Sequence, residues 1–385
     1  MRSWLTYIFL LMVAFGTVLT SCSDVLSEEG LGTCDDRTTV RLTISFGGDD
    51  DPMSRDVGSD PAPEDDDLDY TTEEQAEIVT GDVYALVVDA TSNKFLYRIK
   101  DLHLEEPDTY DNYYTRTLEG TMIQTNKPVR IVLLANLVQN QITVNNILLD
   151  EKSKVEAYID GIKEETDVST IYNNLIYNYD GTTTPWTLTG DNARRIPMWG
   201  QSQPTTVPPT ENIDLACYLY RAVAKVQIWV NNREGIDGFI INKIEVKNIH
   251  KQGYCVSTAN YDTNNPNYAG TDVKPYALPS VPSGAENQTV TYSNLNVKES
   301  FSDEIYIPER FNKDNDAVTI DVHYTFNGEA HTGTIEFKKD GTGNRFDVIR
   351  NHSYIFNINI SRTDAKLYYT VEDWDEYTIN IPAFE

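Results

Sequence analysis

The residue with the most specific position for chemistry is Cys22, which ends an apolar stretch near the start of the chain. Arg2 supplies a positive charge, residues 4–18 are mainly apolar, and the small residues Thr20 and Ser21 come directly before the thiol. This order of charge, short apolar run and small residues predicts a secretory signal peptide over residues 1–21, because the run is too short for a stable membrane span.

The tetrapeptide Leu19-Thr20-Ser21-Cys22 resembles a bacterial lipobox, in which the chain is cut before the cysteine and the thiol carries lipid. The resemblance implies cleavage between Ser21 and Cys22 and attachment of acyl chains such as palmitate to Cys22. Each buried methylene contributes about 0.8 kcal/mol, so a multiply acylated terminus is a firm anchor. The alternative is an ordinary signal peptide with an incidental cysteine. We expect a lipoprotein of the cell outer membrane.

Three further cysteines, Cys34, Cys217 and Cys255, leave an odd number after lipidation. A bridge between Cys217 and Cys255 is permitted by export through an oxidising compartment, but their spacing does not establish it.

No motif in the sequence predicts catalysis. It lacks a Gly-x-Ser-x-Gly elbow, a His-Glu-x-x-His pair, a phosphate-binding glycine loop and paired-cysteine zinc spacing. The five histidines are scattered, and the acidic run 65–69 lacks the glycine turn and final glutamate of a calcium loop. We therefore predict no enzyme, no metal site and no cofactor. The histidines are His103, His250, His323, His331 and His352.

The net charge of −29 argues against a nucleic-acid partner, because a phosphate-binding surface needs clustered Lys and Arg. Much of this charge lies in residues 49–77, which contain thirteen acids, three prolines and a single base, Arg55. Such a segment cannot bury enough apolar surface to order itself. We expect a solvated linker there.

Most segments after residue 38 have a period of two, which is typical of half-buried strands. Segment 40–46 alternates strictly, whereas 83–88 and 131–134 are continuous apolar runs that suit the middle of a packed sheet. Further strands are predicted over 222–230, 240–249, 318–324, 332–337 and 354–360, with a hairpin turn at Asn327-Gly328.

Only residues 154–165 have helical spacing, with Val155, Tyr158, Ile159 and Ile162 on one face. Short strands separated by Gly, Asn, Asp and Pro indicate an all-β protein of two β-sandwiches. The break between them is expected near residues 231–238. The predicted organisation is a signal peptide (1–21), an N-terminal segment (22–78), sandwiches over 79–235 and 236–366, and a terminal strand (367–385).

Seven segments together resemble the fimbrillin family, also called Mfa-like fimbrial subunits, which build type V pili on certain Gram-negative bacteria. Each string is short, but they occur in order over most of the chain. They are VYALVVD (83–89), RIVLLANL (130–137), IPMWG (196–200), YRAVAKV (220–226), YIPE (306–309), IRNHSY (349–354) and VEDW (371–374).

The resemblance implies a structural subunit of cell-surface fimbriae that supports adhesion. It implies two tandem transthyretin-like (Greek-key) sandwiches, with the short helix in the first. After export as a lipoprotein, a protease cuts the chain after an arginine and releases the first strand. A terminal strand from a neighbouring subunit then fills the groove, so that subunits polymerise by donor-strand exchange. The implied partners are other fimbrial subunits, the outer membrane before maturation, and an unidentified host or bacterial surface ligand.

Two segments have the pattern that such a groove accepts. The candidate removable strand carries Val40, Leu42, Ile44 and Phe46 on one face. The candidate donor strand contains Tyr377, Ile379 and Ile381, with Trp374 as a packing anchor or part of the exchange contact. Burial of four such side chains contributes roughly 6–10 kcal/mol before entropy is subtracted. Pro382 removes one ladder hydrogen bond at the outer end of the donor.

Arg55 is the candidate cut site, because it is the single base between Arg41 and Lys94 and lies in the linker, where proteolysis concentrates. Arg37 and Arg41 are the alternatives, and a solvated arginine without a role is a third.

The competing function is an outer-membrane surface lipoprotein that binds glycans through β-sandwich modules, with its many tyrosines and tryptophans as stacking platforms. Such a binder needs no strand after residue 366. Among fimbrial roles, a releasable first strand together with a terminal donor strand favours a stalk or general structural subunit over a tip or an anchor.

Overall fold

The computed structural model describes residues 37–46, 78–105, 115–138, 140–179, 186, 194–209, 212–231, 238–258, 279–298, 301–312, 316–338, 345–351, 353–359 and 368–371. Cys22, Arg55 and the segment 374–381 lie outside these residues. Within them, no helix has the length and apolarity to span a bilayer.

The described residues form 21 strands and two short helices. The strands of the first half are β1 (Arg37–Phe46), β2 (Val83–Asp89), β3 (Phe95–Ile99), β4 (His103–Leu104), β5 (Thr115–Ile123), β6 (Thr125–Ala135), β7 (Thr143–Val144), β8 (Ile147–Leu148), β9 (Ile176–Asn178), β10 (Met198–Ser202), β11 (Thr205–Val207) and β12 (Asn212–Arg221). Those of the second half are β13 (Val223–Asn231), β14 (Ile240–His250), β15 (Gln252–Tyr254), β16 (Asn287–Tyr292), β17 (Phe301–Pro308), β18 (Thr319–Phe326), β19 (Glu329–Glu336), β20 (Ser353–Asn359) and β21 (Tyr368–Val371). The helices are α1 (Lys152–Asp160) and α2 (Val168–Asn174). The prediction of an all-β protein is confirmed.

A nine-stranded sheet dominates the first half, in the order β3-β2-β6-β10-β12-β1-β5-β4, with β11 paired to β6. Strand β1 lies inside this sheet, although it comes first in the described chain. It runs parallel to β12 and antiparallel to β5. Both of its edges are therefore hydrogen-bonded.

The continuous apolar runs form the paired strands β2 and β6, as predicted. Their side chains are buried on both faces of the sheet. Val83, Ala85 and Val87 belong to the same apolar cluster as β1, whereas Tyr84 and Leu86 belong to a second cluster that includes the helices. Strands covered on both faces need no alternation, which explains their uniform composition.

The helical region differs from the prediction of a single helix. Helix α1 ends at Asp160 rather than continuing to residue 165, because Gly161 caps it. The second helix, α2, has only seven residues, and its N-cap Asp167 accepts a hydrogen bond from the Ser169 N–H at 3.0 Å. An aspartate before Val-Ser-Thr is a helix-start signal that the apolar periodicity does not reveal.

The second half contains two four-stranded sheets, ordered β17-β13-β20-β21 and β16-β14-β18-β19. The hairpin predicted at Asn327-Gly328 joins β18 to β19, and both turn residues have positive φ (50° and 87°). A two-residue turn with positive φ at both positions matches the right-handed twist of the flanking strands.

The change from one half to the other occurs at Ala222, which separates β12 from β13. Strand β13 pairs with β17 and β20, so residues 223–231 contribute to the sheets of the second half. This transition precedes the region 231–238, where turn composition predicts the break. The extent of each domain stays a prediction.

Buried contacts connect the two halves near Ala222. Strands β9 and β15 pair with each other, and the Tyr177 hydroxyl on β9 donates to the carbonyl oxygen of Ala222 at 3.1 Å. Gly253 on β15 lies directly against the Tyr177 ring. Behind it, the fully buried Arg350 and Glu309 form an ion pair of 2.9 Å.

We predict that Gly253→Ala destabilises the protein by about 1–3 kcal/mol, the range for overpacked cores. The added methyl carbon would lie 2.2 Å from the Tyr177 hydroxyl oxygen, and Tyr177 is wholly buried. Urea unfolding measures the loss. Gly161→Ala is the matched control, since Gly161 has a φ of −80° at a helix end and a nearest neighbour at 3.1 Å. Equal stability of both variants would contradict this packing.

Candidate functional site

The most specific feature of the fold is the position of β1 between β5 and β12, which we call the β1 slot. The ladder to β12 runs from Thr39 to Phe46, and the ladder to β5 runs from Arg37 to Ser45. Removal of β1 would leave two facing strands with unpaired N–H and C=O groups. Such edges are templates for another strand.

The inward side chains of β1 are part of the core. Val40, Leu42 and Ile44 have no solvent exposure and share an apolar cluster with β2, β5, β6 and β12. Their burial contributes about 5–9 kcal/mol before entropy is subtracted. The prediction that these residues face inward agrees with the structure; the Phe46 side chain is not among the described ones.

Each inward residue has a fixed neighbour on either side of the slot. The pairs of neighbours, from β5 and β12 respectively, are Gly120 and Ile213 beside Val40, Leu118 and Leu215 beside Leu42, and Arg116 and Cys217 beside Ile44. Successive side chains of a strand point to opposite faces of the sheet. Only every second side chain of an incoming strand would therefore contact these neighbours.

Gly120 lies on the inner side of the slot, where β5 packs closely against the end of β3. A methyl group at this position would lie 2.8 Å from Ile99 Cγ2 and 3.2 Å from Leu102 Cδ2, so β5 approaches β3 closely. The Ile123 N–H on β5 also donates to the Tyr97 hydroxyl on β3 at 2.9 Å. The sheet thus folds back on itself, and β1 packs against an enclosed apolar core.

The outward face of β1 is exposed and carries charge. The Arg41 Nε donates to Glu119 Oε1 at 2.5 Å, across the ladder to β5. The hydrogen bond to Glu119 and the attraction of its charge, with smaller contributions from Glu105 and Asp214, raise the pKa of the Arg41 guanidinium. Arg41 therefore lies in a row of carboxylates.

Cys217 lies on the inner face of β12 directly beside Ile44. It is a free thiol with 1% exposure, and burial raises its pKa. Cys255 is also a free, buried thiol, and burial raises its pKa to about 12. The two thiols are thus not bridged, which answers the question that their spacing left open.

A polar cluster on the second half escaped the sequence analysis because its members are distant in sequence. Glu245, Asp321 and His323 place possible metal-ligand atoms within 4.8 Å of one another. Each is already paired: His323 Nε2 lies 3.0 Å from Glu245 Oε2, and Asp321 pairs with Lys247 and accepts from Thr334. The cluster is a partly buried ion-pair network on β14 and β18.

A buried carboxylate, Asp82, lies just before β2. It accepts a hydrogen bond from the Val138 N–H at 2.9 Å. Burial is the main influence and raises its pKa to about 7, against the lowering effect of that hydrogen bond. The folded state therefore holds a proton here that the unfolded chain releases near pH 4.

This shift predicts a stability that falls as the pH rises from about 4 to 7, because the folded state binds the Asp82 proton more tightly over that window. Asp82→Asn should flatten the fall, by about 3 kcal/mol over the two pH units between 5 and 7. Urea unfolding at pH 5 and pH 8 measures the difference. Glu329→Gln, an exposed substitution, is the control. An unchanged pH slope in Asp82→Asn would contradict this environment.

Several predicted site residues lie outside the described part of the chain. These are Ser21 and Cys22 of the signal cleavage and lipid site, the candidate cut residue Arg55, and Trp374, Tyr377, Ile379 and Ile381 of the candidate donor strand.

The chain belongs to the family of fimbrillin-A associated anchor proteins Mfa1 and Mfa2, whose sequence profile matches residues 34–380. The resemblance to fimbrial subunits is therefore confirmed. The family comprises structural fimbrial and adhesion proteins rather than enzymes, and its members assemble with other fimbrial subunits at the cell surface.

A solved structure shows the same fold. The tip fimbrial protein Mfa3 from Porphyromonas gingivalis, with a C-terminal truncation, is 12% identical, with a TM-score of 0.51 over 88% of this chain and 100% of that one. A fimbrial assembly protein from Parabacteroides distasonis is 14% identical, with a TM-score of 0.47 over 88% and 96% of the two chains. Comparison with curated protein sequences gives no match.

We predict that Leu42→Ala costs about 2–5 kcal/mol of stability, because it leaves a cavity in the enclosed core. Thr43→Ala, the next residue on the same strand, faces solvent and should change stability by less than about 0.5 kcal/mol. Urea unfolding of both variants measures the contrast. If the two substitutions had the same small effect, β1 would not be a core strand.

Proposed function

We propose that this protein is exported as a lipoprotein attached through Cys22, is cut after Arg55, and joins other fimbrial subunits by exchanging β1 for a strand of another chain. The observation that carries this proposal is the double pairing of β1. A strand that fills the middle of a sheet leaves a specific vacancy when it departs.

The connectivity of β1 supports its release. After β1 ends at Phe46, the next described residue is Ile78, and the acidic segment between them contains Arg55. A cut after Arg55 would leave β1 attached to the fold by non-covalent contacts alone. Its three inward aliphatic side chains and two ladders would then be replaceable by an equivalent strand.

The location of the alternative arginines also supports Arg55. Arg37 and Arg41 both lie in β1, where their backbones belong to the ladder with β5. Proteases cut extended, accessible chain, so a paired strand must open before it is cleaved. Arg55 lies outside the described residues, in a segment whose composition predicts a solvated linker.

The C-terminal segment supplies the other half of the proposed exchange. Residues 377–381 alternate Tyr, Ile and Ile with Thr and Asn, which fits a groove that buries every second side chain of the incoming strand. Removal of residues 372–385, which keeps β21 paired with β20, separates this function from glycan binding. A truncated pilin should fold yet fail to extend a polymer, whereas a glycan-binding module should keep its ligand affinity.

A second candidate role follows from the family description, which names anchor proteins. An anchor would keep both Cys22 and β1 and would hold the base of a fibre at the membrane. N-terminal sequencing of assembled fibres distinguishes the two roles. A mature chain starting after Arg55 supports exchange at the β1 slot, and one starting at Cys22 supports the anchor.

The Cys217 thiol allows strand release to be measured directly. In a chain carrying Cys22→Ser and Cys34→Ser, with a specific protease site in place of Arg55, both remaining thiols should resist a maleimide. Cleavage should raise the labelling rate of Cys217 at least tenfold, because Ile44 no longer covers it once β1 leaves.

Cys255 is the internal control, since it belongs to the other apolar cluster and not to the one that contains β1. The same chain with Cys217→Ala should show no cleavage-dependent labelling. Equal labelling of the cut and uncut chains over many hours would show that β1 does not leave, and exchange by this route would be wrong.

A further inference from the structure

The charged side chains around the β1 slot affect which strand can fill it. This inference rests on the proposed exchange at that slot. We propose that the slot selects a strand with a lysine or arginine at the outward position of Arg41, and that the donor is therefore a different chain rather than a second copy of this one.

The first observation is the position of Arg41 between two acids. In register, Arg41 lies opposite Glu119 on β5 and opposite Asp214 on β12. Glu119 accepts the Arg41 hydrogen bond, and Asp214 and Glu105 lie close enough for their charges to act on it. One cation on the central strand thus faces carboxylates on both neighbouring strands.

A further acid extends this row along the strand. The Asp101 carboxylate accepts hydrogen bonds from the backbone and hydroxyl of Thr121, which is the register partner of Thr39. The bases on the β5 side are His103, which pairs in register with Glu119, and Arg116, which lies beside Ile44. When β1 leaves, Arg37 and Arg41 leave with it, and four carboxylates border the vacancy.

Cross-strand pairs of opposite charge stabilise a sheet, and like charges directly opposite destabilise it. Like charges brought together at an interface also suppress wrong partners. The acidic border therefore favours a strand that restores the missing cation. It disfavours one that adds negative charge.

The second observation is the composition of this chain's own tail. Residues 367–385 contain five acids and no Lys or Arg. The residues between the apolar positions of the candidate donor are the neutral Thr378 and Asn380, and Asp375 and Glu376 come directly before Tyr377. This tail offers the apolar alternation that the slot accepts, but it brings anions to an acidic border. The whole chain, at −29, repels a second copy as well.

These features fit a partner with two properties. Its donor strand alternates apolar residues to match Val40, Leu42 and Ile44, and it carries a basic residue between the first two of them. The acidic tail of this chain would then serve a different subunit, one whose own slot has a neutral or basic border.

The test uses the cut chain described above, after β1 has dissociated, and four fluorescent peptides. The first is the sequence of residues 37–46, and two others carry Arg41→Gln or Arg41→Glu. The fourth is the tail, residues 372–385. Anisotropy measures affinity, and protection of Cys217 from maleimide shows that a bound peptide occupies the slot.

We expect the peptide with Arg41 to bind about 2- to 30-fold more tightly than its Gln variant, the range for two cross-strand charge pairs. The Glu variant should bind more weakly than the Gln variant, and the tail should be weak too. The preference should shrink as salt rises from 0.05 to 0.5 M, because these charges are exposed.

Two controls make the result specific to this border. A peptide with Arg41→Gln and Thr43→Arg keeps the net charge but moves the cation beside Thr117 and Ala216, so it should lose the preference. In the receiving chain, Glu119→Lys should weaken the preference for the Arg peptide over the Glu peptide, because Asp214 is then the one acid left directly opposite the cation.

The outcomes separate this inference from the proposed function. If the tail or the Glu peptide binds as tightly as the Arg peptide, the slot does not select by charge and self-assembly is allowed. If no peptide binds or protects Cys217, the exchange itself is wrong and this inference fails with it.

Discussion

The fold of the first half depends on one constraint, the hydrogen bonding of β1 to two strands at once. Its ladders to β5 and β12 join what would otherwise be two facing edges, and its inward side chains complete the core beneath them. A protein that loses such a strand has both unpaired backbone groups and an open apolar core. The remaining chain is then poised to accept a replacement.

The second half contains the same arrangement, but there the central strand cannot leave the sheet. There β13, the first strand, pairs antiparallel to β17 and parallel to β20, as β1 does with β5 and β12. However, β13 continues directly from β12 after Ala222, so no linker allows it to leave. The difference between a fixed and a replaceable strand thus arises from how the strand is connected, since the pairing is alike.

The sequence predicts those strands whose own pattern of apolar, polar and turn residues is typical of their environment. Strand β1 and the hairpin at Asn327-Gly328 were found because alternation and turn chemistry are local. The location of β1 inside the sheet could not be predicted, because its partners lie far along the chain. Strand β5 is also a weak strand by composition: it has an ion-paired glutamate, and Gly120 contributes no side chain.

The candidate site shows the same division between local and non-local information. Val40, Leu42 and Ile44 were correctly expected to face inward, because strand periodicity assigns faces. Arg41, in contrast, was considered as an alternative cut residue, and its pairing with Glu119 depends on a register that no local pattern specifies. Cys217 likewise acquires its importance only from its position beside Ile44.

The central claim is that the strand between β5 and β12 is exchangeable. The most direct measurement is an electron-microscopy map of assembled fibres, traced through the β1 slot. The account predicts that this strand connects to a neighbouring subunit and carries a basic side chain opposite Glu119 and Asp214. A slot still filled by residues 37–46 of the same chain would contradict it.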